Sequence, residues 1–286
     1  MEEFLSQMKE IQKYLLFFIE EEKDSQENFI ILVQLLKKFK ITERFHDLKS
    51  FLLLLSQVAQ NHCHSTNFYD KIETIFNMLK KEMLHKFTSK EIFDLFSGNK
   101  RIILFFLNEN YLKIDKIIED YIFQQNECFY LEQLTILNEG QLNMNKENQK
   151  MLDTFKINRK IGENDDFTCQ LIRNDSIDQF ISYVNQKDLP LTSHIKSSIF
   201  ETNKFLMDKK VTLIEYAAFF GSAQIFKYLY KNNVKLTSSL WIYAIHSDSS
   251  EIIQLLEENK IKPNDNSFKK CLIESIKCHH NEMANV

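Results

Sequence analysis

The chain has few of the residues used to turn tightly: four glycines and two prolines in 286 residues. Hairpins and two-residue turns draw heavily on both. Their scarcity disfavours a β-rich fold and favours helices joined by polar Asn, Lys and Asp loops. Cysteine is sparse too. Five cysteines, an odd number at wide spacing, do not make a disulfide framework, so the expected compartment is reducing: intracellular and cytoplasmic. No window approaches the roughly 18 uninterrupted apolar residues that a membrane-spanning helix needs. The longest apolar runs, Tyr14–Ile19 and Phe51–Leu55, suit buried helix faces, and the acidic start MEEFLSQMKE lacks a signal-peptide pattern. An excess of positive charge is missing as well, with a net charge of −4 and a pI of about 6.1. Phosphate recognition needs a clustered cationic surface. The basic runs present, Lys37-Lys38 with Lys40 and Lys80-Lys81, read as solvated helix faces, and no nucleic-acid partner is expected.

The usual chemical motifs are absent. The glycines are isolated, so there is no phosphate-binding loop, and neither a G-x-S-x-G elbow nor H-E-x-x-H occurs. The neighbours Asp165-Asp166 and Glu257-Glu258 read as loop and helix-surface charge, and Cys169 and Cys271 as small buried thiols. Two triplets stand out, HCH at His62–His64 and CHH at Cys278–His280. Zinc takes ligands from separated turns, and three adjacent residues on a helix cannot all point at one ion. Each triplet alone therefore reads as structural or incidental. No enzyme activity, cofactor, metal or small-molecule substrate is expected. The alternative from another class is a hydrolase or transferase with an unrecognised site in the less typical half, residues 1–150.

What the sequence does have is helical periodicity. Phe4, Met8, Ile11, Leu15 and Phe18 recur every three or four residues and share one face. Phe29–Phe39 carries a second such pattern. A third joins Phe45, Leu48, Leu52, Leu55 and Ala59, and a fourth joins Ile72, Ile75, Phe76, Leu79 and Met83. Such stripes are core faces.

The second half repeats. Over Leu213–Leu236 and Leu240–Pro263, an offset of 27, eight of 24 positions are identical, where chance gives roughly two. The matches fall on small, apolar and turn positions, among them Ala217/Ala244 and Asn232/Asn259, as expected of short helix pairs stacked on their neighbours. Weaker copies lie at Asn174–Val184, with Asp175 in the place of Gly221, and at Phe96–Lys113, with Gly98 there. Another lies at Cys271–Ala284, with Ser275 in the place of Ala244. Thr212 and Glu215 have capping-box spacing, T-x-x-E. Gly221 then ends a first helix, because glycine takes a left-handed corner without a Cβ penalty, and a second helix follows from about Ala223 to Lys231. Ala217 and Ala218 are small enough to let the two helices approach closely. In the last copy, the second helix begins only at Met283 and Ala284, so the array is expected to be incomplete, with Ile276 poorly covered.

The stretch TLIEYAAFFG, Thr212–Gly221, resembles the ankyrin-repeat signature T-P-L-H-x-A-A-x-x-G, and SAQIFKYLYKNNVKL resembles the second ankyrin helix and its turn. The resemblance covers Thr168–Val286. Together with SLWIYAIHSDSSEIIQLLEENKI and CLIESIKCHHNEMAN, the chain is similar to a large group of ankyrin-repeat proteins expanded in parasitic protists, whose amino-terminal helical region has no known function. Leu213 and Glu215 replace the signature's proline and histidine, and the 27-residue offset is shorter than the usual period of about 33. The projecting hairpins are therefore expected to be truncated, leaving exposed parts of the first helices as the contact face. The resemblance implies an all-α chain: a helical amino-terminal region (1–87), a helical stretch holding degenerate repeats (88–167) and an ankyrin-like helix-pair solenoid (168–286). It also implies a non-catalytic scaffold that binds a protein partner through a concave face. Candidate contact residues are Phe219, Phe220, Trp241 and His246; Thr212, Glu215, Ala217, Ala218, Gly221 and Ala244 are the structural repeat positions.

Overall fold

A computed structural model describes residues 2–20, 25–62, 67–125, 127–130, 133, 146–207, 209–264 and 268–280. Among these residues the fold is all-α, with fifteen α-helices and no strand. No helix among them is long and apolar enough to cross a membrane. The chain divides into two compact units, residues 1–60 with 64–151, and residues 61–63 with 152–286.

The first unit opens with α1 (Glu2–Glu20), α2 (Ser25–Lys38), α3 (Phe45–Asn61) and α4 (Phe68–Lys86). The apolar stripes face inward: Ile11, Leu15, Leu32, Leu36, Leu48, Leu52, Leu55, Ile72, Phe76 and Met83 are all buried, and α1 packs against α2 and α4. Then come α5 (Ser89–Phe96), α6 (Lys100–Asn108) and α7 (Lys116–Gln125), followed by a 3-10 turn at Glu127–Tyr130. α5 starts with a capping box in which Thr88 and Glu91 satisfy each other's backbone N–H groups.

α6 is buried from Lys100 to Phe106, so that even Lys100 and Arg101 lie inside. Their charges are accommodated locally. Arg101 pairs with Glu73, and the Lys100 ammonium sits 5.1 Å from the Phe129 ring centroid. Buried Asn99 fixes the start of α6, accepting from the Arg101 and Ile102 amides. Its Nδ2 donates to the Ala59 carbonyl and the Tyr69 hydroxyl, both at 3.1 Å. Gly98 precedes it without a left-handed turn, unlike Gly221. A Cβ at Gly98 would lie 2.9 Å from the amide end of the Gln60 side chain, which would have to shift to admit it.

α8 (Lys146–Ile161) carries the chain across the division. The second unit then holds α9 (Phe167–Arg173), α10 (Ile177–Gln186), α11 (Leu213–Phe220), α12 (Ala223–Lys231), α13 (Leu240–Ser247), α14 (Ser250–Glu258) and α15 (Lys269–Lys277). Alternate helices form two layers. α9, α11, α13 and α15 pack on one another in that order, and so do α10, α12 and α14; each pair is joined internally. Between α10 and α11 the chain is irregular. There it makes a single antiparallel bridge, His194 to Thr212, that brings residues 193–195 beside the start of α11.

Candidate functional site

The repeated unit is built from local chemistry. Thr212 accepts from the Glu215 amide, and the Glu215 carboxylate accepts from the Thr212 amide at 2.9 Å. Gly221 ends α11 in the left-handed conformation, φ 68°. Ala217, Ala218 and Ala244 are fully buried where the helices meet. The corner recurs with other residues: Asp175 (φ 45°), Asp248 (φ 51°) and His279 (φ 59°) follow α9, α13 and α15 in the same conformation. Neighbouring pairs are tied across their corners. The Asp175 carboxylate accepts from the Gln224 and Ile225 amides at 3.0 Å, capping α12 from the preceding pair. Ser222 donates to the Ile172 carbonyl, and Ser247 donates to that of Ala218 at 2.8 Å.

Three of the four candidate contact residues lie inside the unit. Phe219 is fully buried, and His246 and Trp241 are 3 % and 6 % exposed. Each has an internal partner. Phe219 stacks on Phe205, with ring centroids 5.7 Å apart. Trp241 donates its indole N–H to the Ile261 carbonyl at 2.8 Å and packs edge-on against Phe268. His246 sits between Phe205 and Phe219 and donates from Nδ1 to the Asn61 carbonyl at 3.1 Å. Burial drives its pKa down to about 3, so the ring is neutral. As contact residues these three are displaced by the packing of first helix on first helix, which leaves Phe220, partly exposed beside Tyr216 at 4.7 Å.

Phe205, which organises Phe219, Tyr243 and His246 around it, escaped sequence reasoning. It lies in an irregular segment with no periodicity to mark it. The polar pin beneath α11 escaped as well. Arg173 donates to the Tyr216 hydroxyl at 2.8 Å and pairs with Glu163 at 2.7 Å. Burial pushes the Glu163 carboxyl up to about 7, against the pull of the Arg173 charge. Nearby, burial pushes the Cys169 thiol up to about 12, which suits packing rather than nucleophilic attack. Asp166 caps α9 through the Thr168 amide at 2.9 Å.

His62, the described member of the first triplet, meets the second. His62 belongs to the second unit, and its Nε2 lies 2.9 Å from Nδ1 of His279. Cys63 and His64 fall outside the described residues, as do Met283 and Ala284, where a last second helix was expected. Ile276 on α15 is 57 % exposed, in agreement with the poor cover expected for it.

No protein-family model matches the chain, and no curated protein or solved structure matches it either.

Proposed function

We propose that residues 168–286 form an ankyrin-like array that serves as a non-catalytic scaffold, binding a protein partner through the exposed parts of its first helices. One observation carries this reading: the recurrence of a single backbone unit. Left-handed residues follow the first helices at Asp175, Gly221, Asp248 and His279, and follow the second helices at Asp188, Asn233 and Lys260. The 27-residue step from Gly221 to Asp248 is the step from Asn233 to Lys260. In such an array each pair contacts only its neighbours, and the row of equivalent helices presents an extended surface suited to a protein partner. Phe220 is a partly exposed aromatic of that row, and aromatics anchor interfaces.

The test is site-directed photocrosslinking in the native cell. A photoreactive residue at Phe220 is expected to capture a discrete protein, and one at Glu251, on the α14 surface, far less of it. Equal capture from both positions, or none from either, removes the reading.

A further inference from the structure

Each first helix of the second unit is followed by a left-handed corner, at Asp175, Gly221, Asp248 and His279. Three residues before the corner stands a carbonyl that accepts the corner's own N–H: that of Ile172, Ala218, Ile245 and Ile276 in turn. In the first three helices this carbonyl also accepts a side-chain hydrogen bond from the pair that follows. Ser222 donates to Ile172, Ser247 to Ala218 at 2.8 Å, and Nδ1 of His280 to Ile245 at 2.7 Å. A carbonyl only accepts, so the ring nitrogen of His280 that faces it carries the hydrogen. At Ile276 no described side chain takes this place.

The side chains repeat the pattern. The residues three and seven before the corner are buried in α9 (Ile172, Thr168), α11 (Ala218, Ile214) and α13 (Ile245, Trp241), at 0–6 % exposure. In α15 they are Ile276 and Leu272, 57 % and 43 % exposed. Phe268, at the start of α15, is exposed as well. Residues four apart lie one above the other on a helix, so Phe268, Leu272 and Ile276 form one apolar line. On α13 the following pair supplies the cover: the Phe268 ring meets the Trp241 ring at 5.2 Å.

From this recurrence we infer that the outer face of α15 docks a helix pair of the array's own class, supplied by another protein. The pair carries an apolar first helix over Leu272 and Ile276, a hydroxyl or imidazole at its corner for the Ile276 carbonyl, and an acidic rim. The rim follows from charge. Lys269, Lys270 and Lys277 of α15 are exposed, against one acid, Glu274, which Lys277 holds at 3.1 Å. Residues 259–280 contain five lysines and two acids in a chain of net charge −4. Opposite charge across an interface speeds encounter and fixes register. The array already uses it between pairs, where Lys227 of α12 meets Glu251 of α14. A second copy offering its own α15 would instead set lysines against lysines.

The test places p-benzoylphenylalanine at Ile273, 45 % exposed on α15, in the full chain in the native cell, and sequences the attachment site on the captured molecule. The expected site is a helix pair with an apolar first helix flanked by Asp and Glu. Leu272→Asp and Ile276→Asp, each added to the reporter, should cut its yield at least about tenfold, while Leu84→Asp on α4, also exposed, leaves it unchanged. Circular dichroism checks that the variants fold, and Ile276→Ser replaces any that does not. Attachment to a second copy, to another stretch of the same chain, to lipid or to a basic segment overturns the inference. So does capture that survives both substitutions, and so does no capture. The reporter at Phe220 is read separately, so failure at either face leaves the other standing.

Discussion

The corners at Gly221 and Asp248 join equivalent helix pairs, and both are left-handed, with φ 68° and 51°, yet only one is glycine. The difference lies in what stands beside each. A Cβ at Gly221 would meet the Ser247 Cβ at 3.2 Å, so a side chain there would press on the next pair's first helix. Asp248 is exposed, and aspartate is among the residues that tolerate the left-handed region. At Asp175 the same conformation is put to use, since its carboxylate caps α12. What recurs is the backbone conformation; the neighbouring pair decides which residue carries it.

Four substitutions sharpen or break that comparison. The largest effect is expected at Gly221→Val, where left-handed strain for a β-branched residue adds to the contact with Ser247. The second unit should lose about 3 kcal/mol in denaturant titration. An unchanged midpoint would mean that the corner is not constrained by its neighbour.

The second concerns the Arg173 pin at the first pair. Burial holds the Glu163 pKa at about 7 in the folded state, above its unfolded value. The folded chain therefore binds the proton more tightly. The stabilisation linked to that proton is complete below the unfolded value and is lost as pH rises through about 7. Relative to Glu163→Gln, the wild type should lose about 2–3 kcal/mol over that window and change little above it. A parallel pH profile for the two proteins would remove the titration from Glu163.

The third is Asp175→Ala, which removes a cap from α12 and should cost about 1–2 kcal/mol. Hydrogen exchange should quicken at the Gln224 and Ile225 amides before it does in α14. If exchange rises evenly across the unit, the carboxylate caps nothing in solution. The smallest effect is expected at Asp248→Gly, which relieves a left-handed non-glycine corner but removes the aspartate side chain's own interactions, and should change stability by less than about 1 kcal/mol. A larger loss there would show that the aspartate makes a contact outweighing its backbone strain.

The features legible in the sequence are those written within a few residues of each other. The T-x-x-E box at Thr212, the α11–Gly221–α12 corner and the inward stripes of α1, α3 and α4 all follow from hydrogen bonds over three residues, a φ preference or a 3.6-residue period. The offset of 27 between Leu213 and Leu240 exposed the equivalence of the pairs even though glycine is replaced by aspartate at the corner. The same reasoning placed Phe219, Trp241 and His246 on first helices. It had no means to say which side of α11 and α13 would be covered by the helices beside them and by Phe205.

The sequence by itself thus determined helix content, corners and the repeat, because dihedral preference, capping and amphipathic period act over short separations. Only the tertiary structure decided that Asp175 would cap a helix about 50 residues away, that three of the four candidate contact residues would be buried, and that His62 would meet His279 and His280 across 217 residues. Residues so far apart share no local signal; they are brought together when the hydrophobic faces of successive helices are buried against one another, and the polar groups carried along must find partners where that burial leaves them.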